Sequence, residues 1–391
     1  MNQSAMSGAV VLDSATPSGS FDVPPYPNLT NITKTGTDAY APTGATQYPF
    51  TFVMHASGGG AGALDFGDKY QADLDGPLAY STDTVLKWSA RLISGGVTVY
   101  PQDVRYDAVA SWNLESYHMG YTHGPAVDEM YLYTERRYDQ LLRWADANVP
   151  QAHPTKRYAS GGSMGAWGCM TFALRRPNRF AAIYPDRPRV RYSGGTNITV
   201  PDWESVSQVY DTAVSSPNVT AADGGGTVAQ HMNAVAYVAD TANAIPWVGW
   251  NIGKNDGFSP FSDHIALVAA MRSAGRGFAF AWNNGDHSTG SIPSQITASY
   301  PLGLFELGKG YPVFSEHSLD GDPSTDLTGG INVGLTFRNV VESAGSWSCE
   351  VTHISSACTV KVKPKSPIYT GNPSPVLVTI PAANTWVSVS F

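Results

Sequence analysis

Gly161-Gly162-Ser163-Met164-Gly165 sets a serine between glycines in the spacing G-x-S-x-G. A serine hydroxyl becomes a nucleophile when a neighbouring base takes its proton, and flanking glycines permit the sharp strand-to-helix turn that lifts the hydroxyl above a sheet. Gly makes up 39 of 391 residues, so the bare motif is weak and its flanks decide. Before it, Lys156-Arg157-Tyr158-Ala159-Ser160 reads as a short strand; after it, Ala166-Trp167-Gly168-Cys169-Met170-Thr171 reads as the start of a small-residue helix. Strand, turn and helix together make a nucleophile elbow with Ser163 at its apex; an ordinary Gly-rich turn is the blander alternative. Cys169, one turn into that helix, reads as a small core residue.

Other chemistry-bearing groups are weaker. His118, His123 and His153 lack the H-E-x-x-H spacing of a zinc hydrolase, so no metal is expected, although His118 or His123 could rim a cleft. Asp320-Gly321-Asp322 with Asp326 lacks the downstream bidentate glutamate of a calcium loop and reads as a solvated turn. Arg187, Arg189 and Arg191 alternate, as on an exposed edge or a strip that meets an acidic substrate.

The elements that must position Ser163 follow from periodicity. Strand-like apolar runs at 50–54, 97–100, 157–160, 180–184, 247–252 and 278–282 alternate with candidate helices at 82–94, 126–148, 164–176, 231–241 and 260–274. That alternation predicts an α/β domain over 49–308, a largely parallel sheet with covering helices. Residues 1–48, rich in Ser, Thr, Pro and Gly, read as an extended lead-in with short strands. After 308 the period drops to two, with strands at 331–337, 346–352, 358–363, 376–380 and 385–391, so a small all-β sandwich of immunoglobulin or fibronectin type is expected over 309–391. Read as a hairpin, its second and third strands set Cys349 opposite Cys358, where a bridge and a pair of buried thiols are equally open.

Charged residues are 14% of the chain, against roughly 25% in ordinary soluble domains, and the net charge is −8. Without clustered Lys and Arg, nucleic acid is not an expected partner. No window reaches the roughly 18 apolar residues of a bilayer span, so a soluble chain is expected. No basic residue precedes Lys34 and no leader-type apolar run is visible.

Around the elbow the sequence resembles the α/β-hydrolase superfamily, over about residues 48–305. That family orders nucleophile, acid and base along the chain, the acid after a late strand and the histidine after the next. Here the 245–252 run leads into Gly253-Lys254-Asn255-Asp256, and 278–282 leads into Asn283-Asn284-Gly285-Asp286-His287. The resemblance therefore implies a triad of Ser163, Asp256 and His287, with Asp263 as competing acid and Asp286 left to loop solvation. It also implies an oxyanion hole from the N–H of Met164 and of Ser57 or Gly58, in the run His55-Ala56-Ser57-Gly58-Gly59-Gly60, where H-G-G-G is interrupted by Ala-Ser. No G-K-S/T ending follows this run, which argues against a phosphate loop. Residues 187–244 take the place of a cap insertion over the site.

The function so implied is that of a serine esterase, related to the prolyl-oligopeptidase-like branch, cleaving carboxylic esters through an acyl-enzyme without metal or organic cofactor. The low charge and appended sandwich resemble secreted, extracellular enzymes that act on polymeric or polysaccharide-linked esters. A serine peptidase with the same triad, or a non-catalytic adhesion protein using the sandwich, are the alternatives.

Overall fold

The computed structural model describes residues 47–54, 135, 138, 139, 142, 143, 145, 146, 152–191, 230–289 and 292–391, together with the backbone of short elements elsewhere. The chain divides into two compact units. The first holds Met1–Pro154, Ser160–Phe172 and Tyr192–Met232; the second holds Thr155–Ala159, Ala173–Arg191 and Asn233–Phe391.

In the first unit, strands Gln3–Met6, Ala9–Leu12, Asn31–Lys34, Thr84–Ser89, Gly96–Tyr100 and Tyr48–Met54 lie side by side in that order. The last two run parallel, while Thr84–Ser89 is antiparallel to Gly96–Tyr100. The helix expected over 82–94 is thus corrected to a strand: Thr84, Val85 and Trp88 belong to residue types that favour the pleated state, and the short run Thr-Val-Leu-Lys-Trp-Ser fits either period. The helix expected over 126–148 also starts late, because Glu129–Tyr131 is a strand. Its helical part is amphipathic, with Tyr138, Leu142 and Ala145 buried and Arg143 and Asp146 exposed. Tyr138 packs edge-on against Phe52 and Phe172, with ring centroids 5.2 and 5.3 Å away.

In the second unit, Ala182–Asp186, Trp247–Gly253 and Phe278–Asn283 are parallel neighbours, and helix Phe261–Ser273 lies between the last two in sequence. Their near-continuous burial is what a sheet covered on both faces demands. Trp247 anchors the core: its ring lies 4.5 Å from that of Tyr300 and 4.7 Å from that of Phe305. Trp250 stacks on Phe280 at 4.8 Å, and Trp282 donates its indole N–H to the Asp326 carbonyl at 3.0 Å. All three tryptophans are buried core residues. Replacing Trp247 by Ala should cost about 3–5 kcal/mol, read as a lowered denaturation midpoint.

The C-terminal strands form two three-stranded antiparallel sheets, Tyr311–Ser315 with Cys358–Lys365 and Val376–Ile380, and Leu335–Glu342 with Trp347–His353 and Val387–Ser390. The single strand expected at 331–337 is two. Gly329–Ile331 pairs antiparallel with Phe278–Asn283 at the edge of the larger sheet, and left-handed Asn332 (φ 58°) and Gly334 (φ 89°) turn the chain into Leu335–Glu342. Cys349 pairs with Val389 and Cys358 with Ile380, so the two cysteines sit in different sheets as buried free thiols and the cross-strand bridge does not form. The four residues 354–357 carry the chain from one sheet to the other and do not close a hairpin.

Among the described residues no helix is long and apolar enough to cross a membrane. Of the expected cap over 187–244, residues 192–219 and 222–227 lie outside the described residues.

Candidate active site

Ser163 stands between strand Ala152–Gly162 and helix Met164–Thr171, with φ 52° and ψ −116°. L-residues rarely adopt that backbone, and holding one there costs on the order of 1–3 kcal/mol. The surroundings enforce it. The Ser163 carbonyl accepts from Trp167 N at 3.0 Å, which starts the helix, and every residue of Met164–Thr171 is buried. Gly161 permits the close crossing: a Cβ there would stand 2.5 Å from the Gly165 carbonyl carbon and 2.8 Å from the Met54 carbonyl oxygen. Gly161→Ala should therefore destabilise the protein by about 1–3 kcal/mol, measured by thermal unfolding. Met164, the first helical residue, carries the N–H expected at an oxyanion hole; Ser57 and Gly58 lie outside the described residues. Burial pushes the Cys169 thiol well above its ordinary range, so it is no competing nucleophile.

In the second unit, the chain leaves the C-terminal ends of the three parallel strands in loops that carry Arg187, Asp256 and His287. Ligands of open α/β sheets gather at that end of the strands. The last two loops are sewn together: Lys254 N donates to Asn283 O at 2.8 Å and Asn255 N to Gly285 O at 2.9 Å. Gly253 lets them meet, since a Cβ there would fall 2.3 Å from the Gly285 carbonyl oxygen.

Across this seam His287 Nδ1 lies 2.6 Å from Asp256 Oδ2. A carboxylate oxygen accepts, so in this pair Nδ1 is the donor. The other oxygen, Asp256 Oδ1, accepts from Phe258 N at 2.8 Å and Ser259 N at 3.0 Å. The carboxylate is thus fixed from both ends. Its side chain is fully buried, while that of His287 keeps 22% of its surface. Phe258 covers one side of the imidazole, with centroids 4.7 Å apart, and is itself half-open to solvent.

Asp263 does not meet the histidine. It accepts from Arg191 Nε at 2.8 Å and Nη2 at 2.6 Å. Asp286 accepts from Ser288 N at 2.9 Å and Ser288 Oγ at 2.7 Å, bonds that lower its carboxyl pKa and close a turn. Asp322 and Asp326 also belong to a turn, Asp322 N donating to Asp326 Oδ2 at 2.7 Å, and Asp320 pairs with Arg272 at 2.9 Å. No group of three or more His, Cys, Asp or Glu suited to a metal ion occurs among the described residues; His118 and His123 fall outside them.

Sequence reasoning missed two supports. Ser259 Oγ lies 2.9 Å from Pro188 O and 2.9 Å from Nε2 of His264, whose burial pushes it down to about 3 and keeps it neutral. A hydroxyl has one proton, so Ser259 donates it to the carbonyl and accepts from His264. Arg187 is buried, left-handed at φ 58°, and donates both to Asp186 Oδ2 at 3.1 Å and to the His287 carbonyl. Arg187 is therefore not on a solvated edge, and Arg191 is held by Asp263.

Residues 89–231, which include Ser163, match the model of the family Esterase, described as "Putative esterase". That segment is less than half of the chain, and over it the chain is similar to the Esterase family. Asp256 and His287 lie beyond the matched segment. No curated protein sequence matches the chain. Among solved structures, it is similar to the fluorophosphonate-binding serine hydrolase F of Staphylococcus aureus, with 12% identity over 66% of this chain and 84% of that one and a TM-score of 0.42. An S-formylglutathione hydrolase from Agrobacterium tumefaciens has 16% identity over 73% and 91%, with a TM-score of 0.43. A ferulic acid esterase has 16% identity over 66% and 83%, with a TM-score of 0.39.

Proposed function

We propose that the protein is a serine esterase that hydrolyses carboxylic esters through an acyl-enzyme on Ser163. In this reading His287 Nε2 takes the Ser163 proton as Oγ attacks the ester carbonyl. The N–H of Met164 and of Ser57 or Gly58 stabilise the oxyanion, and the proton passes to the departing alcohol. Water then attacks the acyl-enzyme, giving its proton to His287, and collapse releases the acid and returns the proton to Ser163. Asp256 holds the imidazole in the tautomer this requires and stabilises the imidazolium. The observation that carries the reading is the 2.6 Å bond from His287 Nδ1 to the buried Asp256 carboxylate. The strained serine backbone at the elbow supports it.

The substrate we propose is an extracellular ester borne on a polymer or polysaccharide, supported by the 14% charge content and the appended sandwich. Hydrolysis of p-nitrophenyl esters of graded acyl length, an ester-substituted polysaccharide and peptide anilides tests the whole. Ester turnover at roughly 1–10³ s⁻¹ with anilides untouched is expected. Cleavage of anilides in preference to esters would instead make the protein a peptidase.

A further inference from the structure

Arg187 and Pro188 follow strand Ala182–Asp186 and touch both loops of the site without belonging to either. Arg187 N donates to Asn251 O at 3.0 Å, tying the segment to the neighbouring strand just before the Asp256 loop. The Arg187 guanidinium donates through Nη1 to the backbone carbonyl of His287 and through Nη2 to Asp186 Oδ2 at 3.1 Å. Pro188 O accepts from Ser259 Oγ at 2.9 Å, and Ser259 N donates to Asp256 Oδ1 at 3.0 Å. With the bond from Asp256 Oδ2 to His287 Nδ1 these contacts close a ring. The guanidinium therefore grips the histidine by its backbone while the next residue holds the carboxylate's loop.

We infer that Arg187 is a positioning residue for hydrolysis, fixing the backbone that carries the His287 imidazole. This rests on the proposed roles of Ser163 and His287. A left-handed, buried arginine beside its own buried aspartate is a costly arrangement for a strand end. Its planar, two-headed donor group holds the Asp186 carboxylate with one nitrogen and the His287 carbonyl with the other. The bonds Arg187 makes here are to the His287 backbone and to Asp186, not to the imidazole, so its removal should lower kcat and leave KM nearly alone.

The test is a double-mutant cycle on the full chain, with a p-nitrophenyl ester and with the rate of fluorophosphonate labelling. Arg187→Met should lower kcat and labelling by about 10- to 100-fold, with KM within about threefold, the scale expected of a misplacement near 1 Å. Arg187→Lys, which keeps the charge and one donor, should recover part of the loss and serves if the methionine variant does not fold. In a His287→Ala background the same Arg187 change should alter the residual rate by less than about twofold, because the group it positions is gone. An unchanged kcat in a folded Arg187 variant, or an equal loss in both backgrounds, would overturn the inference. Full activity in His287→Ala alone would instead overturn the assignment of the base and the inference with it.

Discussion

Ser163→Ala should lose ester turnover by on the order of 10⁴–10⁶-fold while its circular dichroism and melting temperature stay close to those of the parent. In the proposed mechanism the hydroxyl forms the covalent bond, and neither oxyanion donors nor base can substitute for it, so the expected loss is large. Stability should hold because alanine meets the same backbone demand at φ 52° and removes one small polar atom. Ser163→Gly adds a contrast: with no Cβ, glycine adopts this backbone freely, so that variant should be inactive and somewhat more stable than Ser163→Ala. Steady-state kinetics and thermal unfolding on the three proteins read both effects. Activity retained in the alanine variant would remove Ser163 from the chemistry.

The second large effect separates two carboxylates seven positions apart. Asp256→Asn should lower kcat by roughly 10³–10⁴-fold, since an amide can present its NH₂ to Nδ1 and favour the wrong tautomer. Asp263→Asn should leave kcat within about threefold. Its carboxylate meets Arg191 and not His287, so its loss should appear as about 1 kcal/mol of stability, modest because Arg191 is partly exposed. Kinetics and denaturant titration on the two variants give the answer, and a larger kinetic loss at Asp263 than at Asp256 would reassign the acid.

Much of this was legible in the residues themselves. G-x-S-x-G between an apolar strand and a small-residue helix marks an elbow because few other arrangements use those glycines so closely: Gly161 and Gly165 touch across the turn. The runs ending before Asp256 and His287 are strands because they are apolar on both faces, as only a covered parallel strand can be. Arg187 was not legible. Alternation with Arg189 and Arg191 resembles a solvent edge, and no composition signal marks a left-handed arginine whose guanidinium reaches a carbonyl 100 positions away. The cysteine pairing failed for a related reason: alternation gives the face of each residue but not whether the next strand returns in the same sheet or crosses to the other. The run at 84–89 shows the third limit, that six residues of mixed apolar and polar character satisfy either period until a neighbouring strand claims their backbone.

Activation of the elbow serine is read most simply by intact-protein mass spectrometry after incubation with a fluorophosphonate, followed by peptide mapping. A single adduct on Ser163, formed rapidly in the parent and slowed strongly in His287→Ala, is the expected result. An adduct on another residue, or labelling of Ser163 at the same rate without His287, would refute the assignment of nucleophile and base.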